Sequence, residues 1–309
     1  MTANISVIIP CLNEEKFLQR CLESLRQQNY PDNLWELIVV DNGSTDNSAT
    51  VARGFTDKVI SAPGLRVGAV RNIGAKHATG DLLVFIDADC TLDPDWLKRA
   101  EQLTLRHPSA VFGGAAKLPD QAAWVERYWL LEGPKGTTLP KELIGCSIII
   151  PSRIFQALGG FNTDMSSGED SELSKRVRKN DNHVILTPEL NVVHLGNAKT
   201  LVSFIKRQIW HAQSYRNNLT QNIKDPVFIL TMFFILSLAA SVLALLTTQF
   251  TAAFLAAAAA ILCPLTLTCK RFYRASRLPA GPKELVGTWI MDTTYLVGRA
   301  LGLLVIRRS

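Results

Sequence analysis

The sequence lacks the cysteine patterns that build a disulfide framework or a zinc site. Its six cysteines form no Cys-x-x-Cys pair and no spacing typical of metal ligands. They are scattered along the chain, at Cys11, Cys21, Cys90, Cys146, Cys263 and Cys269. Since disulfides persist mainly in oxidising compartments, we expect these thiols to be reduced and to face the cytosol.

Three further absences exclude function classes. No stretch interleaves aromatic with basic residues, so we expect no nucleic-acid partner. The first residues lack a basic region followed by a long apolar stretch, so we expect no signal peptide. The segment Pro10–Glu15, which follows the first apolar strand pattern, lacks the glycines and basic residues of a phosphate-binding loop. This last absence argues against a nucleotidyltransferase.

Charge is absent from one long stretch near the C-terminus. Residues 226–269 form a run of 44 residues without a charged side chain. At about 1.5 Å per residue, such a run can cross a hydrocarbon core of about 30 Å roughly twice. We therefore predict that residues 226–270 form a transmembrane hairpin, with helices at about 227–247 and 251–269. A buried helical hairpin in a soluble protein is the alternative, which the alanine-rich part of the run keeps open.

The basic excess of the chain lies entirely after residue 226. The net charge is +6, yet residues 1–226 carry 25 basic and 25 acidic side chains, whereas residues 227–309 carry eight and two. The basic cluster Lys270–Arg277 follows the second apolar helix. The positive-inside rule then places this end of the hairpin, and the N-terminal domain with it, at the cytoplasmic side of the membrane. A basic tail beside apolar helices also indicates a membrane surface as a partner.

The basic segment after the hairpin, residues 271–309, has a different pattern. Within it, residues 285–306 place apolar side chains on one helical stripe, while Asp292, Tyr295 and Arg299 lie on another face. A third membrane span would carry Asp292 and Arg299 into lipid, which is costly. We therefore predict an interfacial amphipathic helix at the inner membrane surface, with these two charges in water or against the N-terminal domain.

The N-terminal domain, residues 1–225, begins with alternating strand and helix patterns. Predicted strands are Ile5–Ile9, Trp35–Val40, Lys58–Ser61 and Leu82–Ile86, and predicted helices are Glu15–Gln28, Ser48–Arg53, Val67–Ala78 and Pro94–His107. The later, less regular part has a strand pattern at Gly145–Ile150, one ending at His194, and a helix pattern at Leu201–Asn218. Strands separated by short helices predict an α/β domain with a parallel, doubly wound sheet.

Polar side chains follow three of the predicted strands, in the segments 13–15, 41–46 and 87–89. Ligands of doubly wound sheets bind beyond the carboxyl ends of the strands, so these segments are expected to converge. A buried strand that ends in two carboxylates, Asp87 and Asp89, is costly unless a cation lies against them. Because Mg²⁺ is commonly held by carboxylates together with substrate phosphates, the pair predicts a site for a metal and a diphosphate. Taken alone, an exposed acidic turn explains the pair equally simply.

Six motifs in this order resemble the family-2 inverting glycosyltransferases of the GT-A fold, over residues 4–200. They are Val7-Ile8-Ile9-Pro10 with Asn13-Glu14-Glu15, Val39-Val40-Asp41-Asn42-Gly43-Ser44-Thr45-Asp46, Arg71-Asn72-x-Gly74-Ala75, Asp87-Ala88-Asp89, Gly159-Gly160-Phe161 and Gly168-Glu169-Asp170-x-Glu172-Leu173. The resemblance implies a Rossmann-like, mixed but mostly parallel sheet with helices on both faces. It also implies a nucleotide-sugar donor, usually UDP-linked, and a divalent metal, Mg²⁺ or Mn²⁺.

The resemblance also implies roles for individual residues. Asp170, beside Glu169, is the expected catalytic base that deprotonates the acceptor hydroxyl. The expected donor-binding residues are Pro10, Asn13, Glu15, Asp41, Arg71 and Asp87. The expected metal ligands are Asp89, Asp87 and His194. Because glycines let a ligand approach the backbone closely, we expect Gly145, Ser147, Gly159 and Gly160 on the acceptor side.

Each of these residues also has a structural explanation. Carboxylates are favoured at any helix N-terminus, which alone would account for Glu169 and Asp170. Asp46 is as well explained as a helix N-cap as by a ligand. Arg71 could be a surface arginine, and His194 a structural histidine with satisfied hydrogen bonds.

The predicted function is transfer of one sugar to a lipid-linked or glycan acceptor at the membrane. Processive members of the family carry a Gln-x-x-Arg-Trp motif, whereas the nearest string here is Arg207-Gln208-Ile209-Trp210. Two spans are also too few for a polymer channel. The alternatives are a catalytically silent protein that binds a nucleotide-sugar, and a nucleotidyltransferase.

Overall fold

The structure, a computed structural model, describes residues 4–134, 136–212 and 223–304 and divides into two compact units. Unit 1 comprises Met1–Asp120 and Leu139–Asn197, and unit 2 comprises Gln121–Thr138 and Ala198–Ser309. This division differs from the predicted domain boundary at residue 225. The reason is apolar packing, because Val125 from the inserted segment shares a buried cluster with Phe204 and Met291.

The described elements alternate along the chain in unit 1 and are mainly helical in unit 2. The strands are β1 (Ile5–Cys11), β2 (Trp35–Asp41), β3 (Val59–Ser61), β4 (Leu82–Phe85), β5 (Cys90–Thr91), β6 (Ala110–Gly113), β7 (Ala116–Lys117), β8 (Glu132–Gly133), β9 (Gly136–Thr137), β10 (Ile148–Pro151), β11 (His183–Leu186) and β12 (Val192–His194). The helices are α1 (Glu15–Arg26), α2 (Ser48–Arg53), α3 (Val67–His77), α4 (Trp96–Arg106), α5 (Trp124–Trp129), α6 (Ser152–Ala157), α7 (Glu169–Lys179), α8 (Leu201–Ala212), α9 (Pro226–Leu246), α10 (Phe250–Arg274) and α11 (Pro282–Leu304).

Unit 1 is built on a seven-stranded sheet with the order β11-β6-β10-β4-β1-β2-β3. All neighbouring strands are parallel except β10, which is antiparallel to both β4 and β6. Buried apolar clusters cover both faces of the sheet, as its continuous hydrophobic strands require. A smaller sheet, β5-β12-β7, lies beyond the end of β4. The predicted mixed and mostly parallel architecture is confirmed.

Most predicted elements of unit 1 are present, with ends shifted by one or two residues. The predicted strand over Gly145–Ile150 is shorter, because a turn in which Ser147 N–H donates to the Ile144 carbonyl (3.0 Å) precedes β10. The predicted helix Leu201–Asn218 is described only as far as Ala212, and its remainder lies outside the described residues.

Two helices of unit 2, α9 and α10, are long and apolar enough to cross a membrane by length and composition. They contain 21 and 25 residues, and the most apolar 18-residue window of each has a mean hydropathy of 2.6 and 2.1, respectively. The helices pack together, and the Ser241 hydroxyl of α9 donates to the Ala253 carbonyl of α10 at 3.0 Å. The chain turns between them at residues 247–249, where Thr248 adopts a positive φ of 57°. The predicted pair of apolar helices is therefore found.

The environment of Asp292 on α11 differs from the prediction. Its side chain is fully buried, so it does not lie in water. Instead it accepts hydrogen bonds from Arg271 Nε (2.7 Å) and from the Thr268 hydroxyl (3.0 Å), both on α10. Arg271 also stacks on the Trp129 ring at 3.8 Å and donates to the Trp129 carbonyl at 3.0 Å. A buried carboxylate is tolerated here because a cation and a hydroxyl satisfy it.

Candidate active site

The loops that follow β1 and β2 interlock at the carboxyl edge of the sheet. The parallel register places Pro10 opposite Val40 and Cys11 opposite Asp41, so both strands end side by side. Asn13, at a positive φ of 56°, accepts the Thr45 N–H on its side-chain oxygen at 2.8 Å. Its own N–H donates to the Ser44 hydroxyl at 3.0 Å. The Asn13 side chain therefore fixes the shape of the second loop.

Two acidic residues complete this connection. Glu15 Oε1 accepts Asn47 Nδ2 at 2.8 Å, while Asp46 Oδ2 accepts the Glu15 N–H at 3.1 Å. Asp46 Oδ1 also accepts the Ser48 N–H at 3.0 Å, so this residue satisfies amides at the start of both α1 and α2. The hydrogen bond from Ser48 is the main reason that the pKa of Asp46 is lowered. The N-cap of α2 is Asn47, so Asp46 supports the start of this helix from the position before the cap.

Asp41, the last residue of β2, is buried to 8% exposure. Its Oδ1 accepts the Ser44 N–H at 3.2 Å, which closes the turn after the strand. Gly43 in this turn has a φ of +85°, and a Cβ there would lie 2.9 Å from the Pro63 Cβ. The turn therefore requires glycine, and it keeps the Asp41 carboxylate at the edge of the sheet.

Arg71 links the end of β4 to the start of α7. Its Nη2 binds Asp87 Oδ1 at 2.7 Å, and its Nη1 binds Glu169 Oε1 at 2.6 Å. The Arg71 side chain is only 3% exposed, so it is not a surface arginine. Burial alone would lower the pKa of Arg71, but the carboxylates of Asp87, Glu169 and Asp170 outweigh burial and raise it. The guanidinium is therefore permanently charged.

Asp170, the second residue of α7, lies beside this ion pair. Its Oδ2 accepts the Gly145 N–H at 2.9 Å, and its Oδ1 accepts the Ser171 N–H at 2.6 Å. Burial, followed by the neighbouring Glu169 charge, raises the pKa of Asp170 to about 6, although Arg71 and the two amides oppose this shift. A carboxylate with such a pKa is mostly ionised at neutral pH and can still accept a proton.

Asp89 and His194 come together because β5 and β12 pair with His194 opposite Cys90. His194 Nε2 lies 3.5 Å from Asp89 Oδ2, and ligand atoms of Asp89, Cys90 and His194 all lie within 4.8 Å of one another. A Cβ on Gly196 would lie 1.9 Å from Asp89 Oδ2, so glycine makes room for this carboxylate. Gly196 was not predicted, and its position two residues after His194 is the signal that could have found it.

The donor atoms suit a hard divalent metal. His194 Nδ1 is buried without a hydrogen-bond partner in the described part of the chain, so this ring has capacity for a ligand. Burial, with a further contribution from Cys146, raises the pKa of the Cys90 thiol well above its usual range. Thiolate is also a soft ligand, whereas the carboxylate and the imidazole are ligands that Mg²⁺ or Mn²⁺ would accept.

The four residues expected on the acceptor side have different settings. Ser147 is fully buried, and its hydroxyl donates to the Leu190 carbonyl at 2.8 Å and accepts the Gly114 N–H at 3.1 Å. The Ser147 side chain therefore holds neighbouring backbone, and the place of residues 145–147 on the acceptor side stays a prediction. A Cβ on Gly160 would lie 2.6 Å from Asn72 Oδ1, so Gly160 packs on α3, whereas Gly159 is exposed with a φ of +74°.

Gly145 is buried beneath Arg71. A Cβ at this position would lie 2.3 Å from Arg71 Nη2, so only glycine lets the guanidinium approach the backbone. Asn72, the residue after Arg71, exchanges two hydrogen bonds of 2.8 Å with the Phe161 backbone. The motifs around residues 71, 145, 161 and 170 therefore form one connected group in unit 1.

Comparison with known proteins agrees with this arrangement. Residues 6–153 match the model of glycosyl transferase family 2. Glycosyltransferase AglE of Haloferax volcanii is 28% identical over 218 residues, which span 66% of this chain and 70% of that protein. Poly(ribitol-phosphate) beta-N-acetylglucosaminyltransferase TarS of Staphylococcus aureus is 32% identical over 112 residues, 34% of this chain and 20% of that protein.

Solved structures agree on the fold. Mannosyltransferase PcManGT from Pyrobaculum calidifontis, in complex with GDP-Man and Mn²⁺, matches with a TM-score of 0.63 at 20% identity, covering 98% of this chain and 88% of that one. The TarS structure with UDP-GlcNAc matches with a TM-score of 0.50 at 17% identity, covering 96% and 92%. Residues 6–153 therefore form a domain of glycosyl transferase family 2, whose members invert configuration, in a chain with a GT-A fold and two apolar C-terminal helices that fit a membrane anchor.

Proposed function

We propose that this glycosyltransferase transfers one sugar from a nucleotide-sugar to a membrane-associated or glycan acceptor, with Asp170 as the general base. One observation carries the proposal. The guanidinium of Arg71 binds both Asp87, at the end of β4, and Glu169, the neighbour of Asp170. A single side chain thus connects the segment expected to meet the donor diphosphate with the segment expected to accept the proton.

The chemistry follows from the position and pKa of Asp170. The acceptor hydroxyl gives its proton to the Asp170 carboxylate as its oxygen forms a bond to the anomeric carbon. The bond between that carbon and the diphosphate oxygen breaks, and the nucleoside diphosphate leaves with the electron pair. Attack from the face opposite the leaving group inverts the configuration. The Gly145 and Ser171 amides orient the carboxylate throughout.

The metal and donor sites are proposed at the edge of the sheet. Asp89 and His194, with Asp87 beside them, would hold Mg²⁺ or Mn²⁺, and the bound metal would offset negative charge on the leaving diphosphate. The interlocked loops containing Pro10, Asn13, Glu15 and Asp41 would lie against the nucleoside. The structural neighbours named above contain GDP-Man with Mn²⁺ and UDP-GlcNAc, which supports a nucleotide-sugar donor. UDP remains our proposed nucleotide, on the strength of Asp41.

The membrane attachment is proposed from α9 and α10. Both helices would span the bilayer, with the turn at residues 247–249 outside and the basic cluster Lys270–Arg277 in the cytoplasm. The α11 helix would lie at the inner surface. A cysteine placed at Thr248 in a background without native cysteines should react with an impermeant thiol reagent in intact cells, and one at Ser276 should not. The reverse pattern would contradict this topology.

The test of the proposed activity uses the full chain in lipid nanodiscs with Mn²⁺. Radiolabelled UDP- and GDP-sugars are offered together with a lipid extract, and transfer is measured as label in the lipid phase or in glycan. We expect transfer from one donor, its loss with chelator, and its loss in Asp170→Asn. Donor binding without transfer from any nucleotide-sugar would favour a silent binding protein. Label appearing as a nucleotidylated acceptor would instead favour a nucleotidyltransferase.

A further inference from the structure

Arg71 contacts three segments that the chain places far apart in sequence. It binds Asp87 after β4, it binds Glu169 at the start of α7, and it packs on the backbone of Gly145. The last contact matters because the Gly145 N–H is one of two amides that hold the Asp170 carboxylate. Arg71 thus reaches Asp170 by two routes, through the neighbouring Glu169 and through the loop that donates to it.

We propose that Arg71 and Glu169 are positioning residues that hold Asp170 in place and set the pH at which it accepts a proton. This inference rests on the proposed role of Asp170 as the base. Neither residue needs to touch the acceptor, because the terminal nitrogens of Arg71 bind carboxylates and Glu169 is only 5% exposed. Their influence is electrostatic and geometric.

The charged groups that face Asp170 have opposing effects. Glu169, on the same helix, disfavours ionisation of Asp170, as does burial. Arg71, from α3, favours ionisation, and so do the Ser171 and Gly145 amides. Asp87 faces Arg71 rather than Asp170, and it balances part of the arginine charge. The effects that raise the pKa prevail, so the pKa of Asp170 lies at about 6.

This balance predicts opposite effects for two substitutions. Glu169→Gln removes the negative neighbour and retains a hydrogen-bond acceptor for Arg71, so the acidic limb of the pH profile should move to lower pH by about one unit. Arg71→Met removes the positive neighbour, so the limb should move to higher pH by about one unit or more. Arg71→Lys keeps the charge but loses the two-pronged geometry, so it should lower kcat with a smaller shift.

A matched control lies on the same helix. Glu172 also carries a carboxylate on α7, but it pairs with Arg176 at 2.7 Å and is partly exposed. Glu172→Gln removes the same charge from the same helix without changing the neighbours of Asp170. It should leave the acidic limb within a few tenths of a pH unit of the wild type.

Two measurements on the full chain in nanodiscs test the inference. The first is the pH dependence of kcat/KM for sugar transfer between pH 5 and 8. The second is infrared titration of ¹³C-aspartate protein, with Asp170→Asn identifying the signal of Asp170. We expect the apparent pKa in both to fall in Glu169→Gln and to rise in Arg71→Met. If Arg71→Met does not fold, Glu169→Gln carries the electrostatic test alone.

The outcomes separate this inference from the proposed function. Reduced rates with an unmoved pKa in the Glu169 and Arg71 variants would overturn the inference and leave Asp170 as the base. Opposite pKa shifts in the infrared titration, with no transfer by the wild type from any donor, would support the positioning role and contradict the proposed function. A shift in Glu172→Gln as large as that in Glu169→Gln would also overturn the inference.

Discussion

Each unit contains an arginine that binds a buried carboxylate, Glu169 in unit 1 and Asp292 in unit 2, and the two centres are built differently. In unit 1, Arg71 has three carboxylates around it, from Asp87, Glu169 and Asp170. In unit 2, Arg271 has one carboxylate, Asp292, which a threonine hydroxyl also satisfies. The first centre has three carboxylates for one guanidinium and therefore an excess of negative charge, whereas the second is balanced, with one carboxylate for one guanidinium.

The difference separates a centre suited to chemistry from one suited to stability. Perturbed ionisable groups collect where a protein must bind ions or transfer protons, since only an incomplete set of partners leaves capacity for a ligand. A buried pair whose hydrogen bonds are complete mainly fixes the geometry of the helices that carry it. To judge function, the balance between positive and negative groups around a buried ion pair is therefore more informative than the presence of the pair.

The largest expected effect is a loss of catalytic rate when Asp170, in the centre around Arg71, is replaced. Asp170→Asn should lower kcat by about 10²–10⁴-fold, because asparagine cannot accept a proton near neutral pH. Donor affinity, measured by calorimetry with Mn²⁺, should change by less than about threefold. A variant that transfers sugar at nearly the wild-type rate would show that Asp170 is not the base.

Substitutions in the centre formed by Arg271 and Asp292 should lower the stability of unit 2 rather than the rate of sugar transfer. Arg271→Met leaves Asp292 buried and uncompensated, so it should destabilise unit 2 by about 3–5 kcal/mol, measured by thermal unfolding of the full chain in detergent. Asp292→Leu should cost less, because Arg271 is 24% exposed and can reach water. The double variant should recover most of the loss. Equal losses in all three variants would contradict a direct pairing.

The metal-binding part of the active site gives an intermediate effect. Asp89→Ala should weaken Mn²⁺-dependent binding of nucleoside diphosphate by about 100-fold or more, by analogy with losses at metal sites. The fold should remain intact, since Asp89 lies at the edge of the sheet and not within its core. Asp57→Ala, on the exposed surface between α2 and β3, serves as the matched control. Unchanged affinity in Asp89→Ala would contradict the metal assignment.

The smallest expected effect is a pH dependence of stability. Because the pKa of folded Asp170 is raised from 3.8 to about 6, the native state binds more protons than the unfolded state between these pH values. Stability from this group therefore falls as pH rises through that window, by about 3 kcal/mol at most. In Asp170→Asn this decrease should disappear from the slope of Tm against pH. Parallel slopes would contradict the raised pKa.

The strands at the centre of the sheet could be predicted because each one is specified by its own residues, without partners distant in sequence. The continuous apolar patterns of β1, β2 and β4, each followed by polar residues, specify both the element and the edge where ligands bind. The direction of β10 could not be predicted from its residues, because Ile148–Pro151 has the same apolar pattern in a parallel or an antiparallel strand.

The remaining features depend on partners distant in sequence. Arg71 lies on an amphipathic helix and has no local signal of burial, which arises from Asp87 and from Glu169, 98 residues later. Asp292 has the helical position of a solvent-facing residue until Arg271 and Thr268 approach it. For both residues the sequence predicts the charge. The role of the residue depends on the position of the opposite charge, which the sequence around it does not reveal.

During synthesis, the inserted segment Gln121–Thr138 leaves the ribosome long before the residues that cover it. Its apolar residues, including Val125 and Trp129, pack with Phe204 and Met291, which the ribosome adds much later. At 5–20 residues per second, Trp129 waits roughly 10–30 s for Met291. During that time this segment presents an uncovered aromatic surface to chaperones and to the membrane. A chain cut after residue 225 would keep that exposure permanently, so such a fragment should aggregate although its sheet is complete.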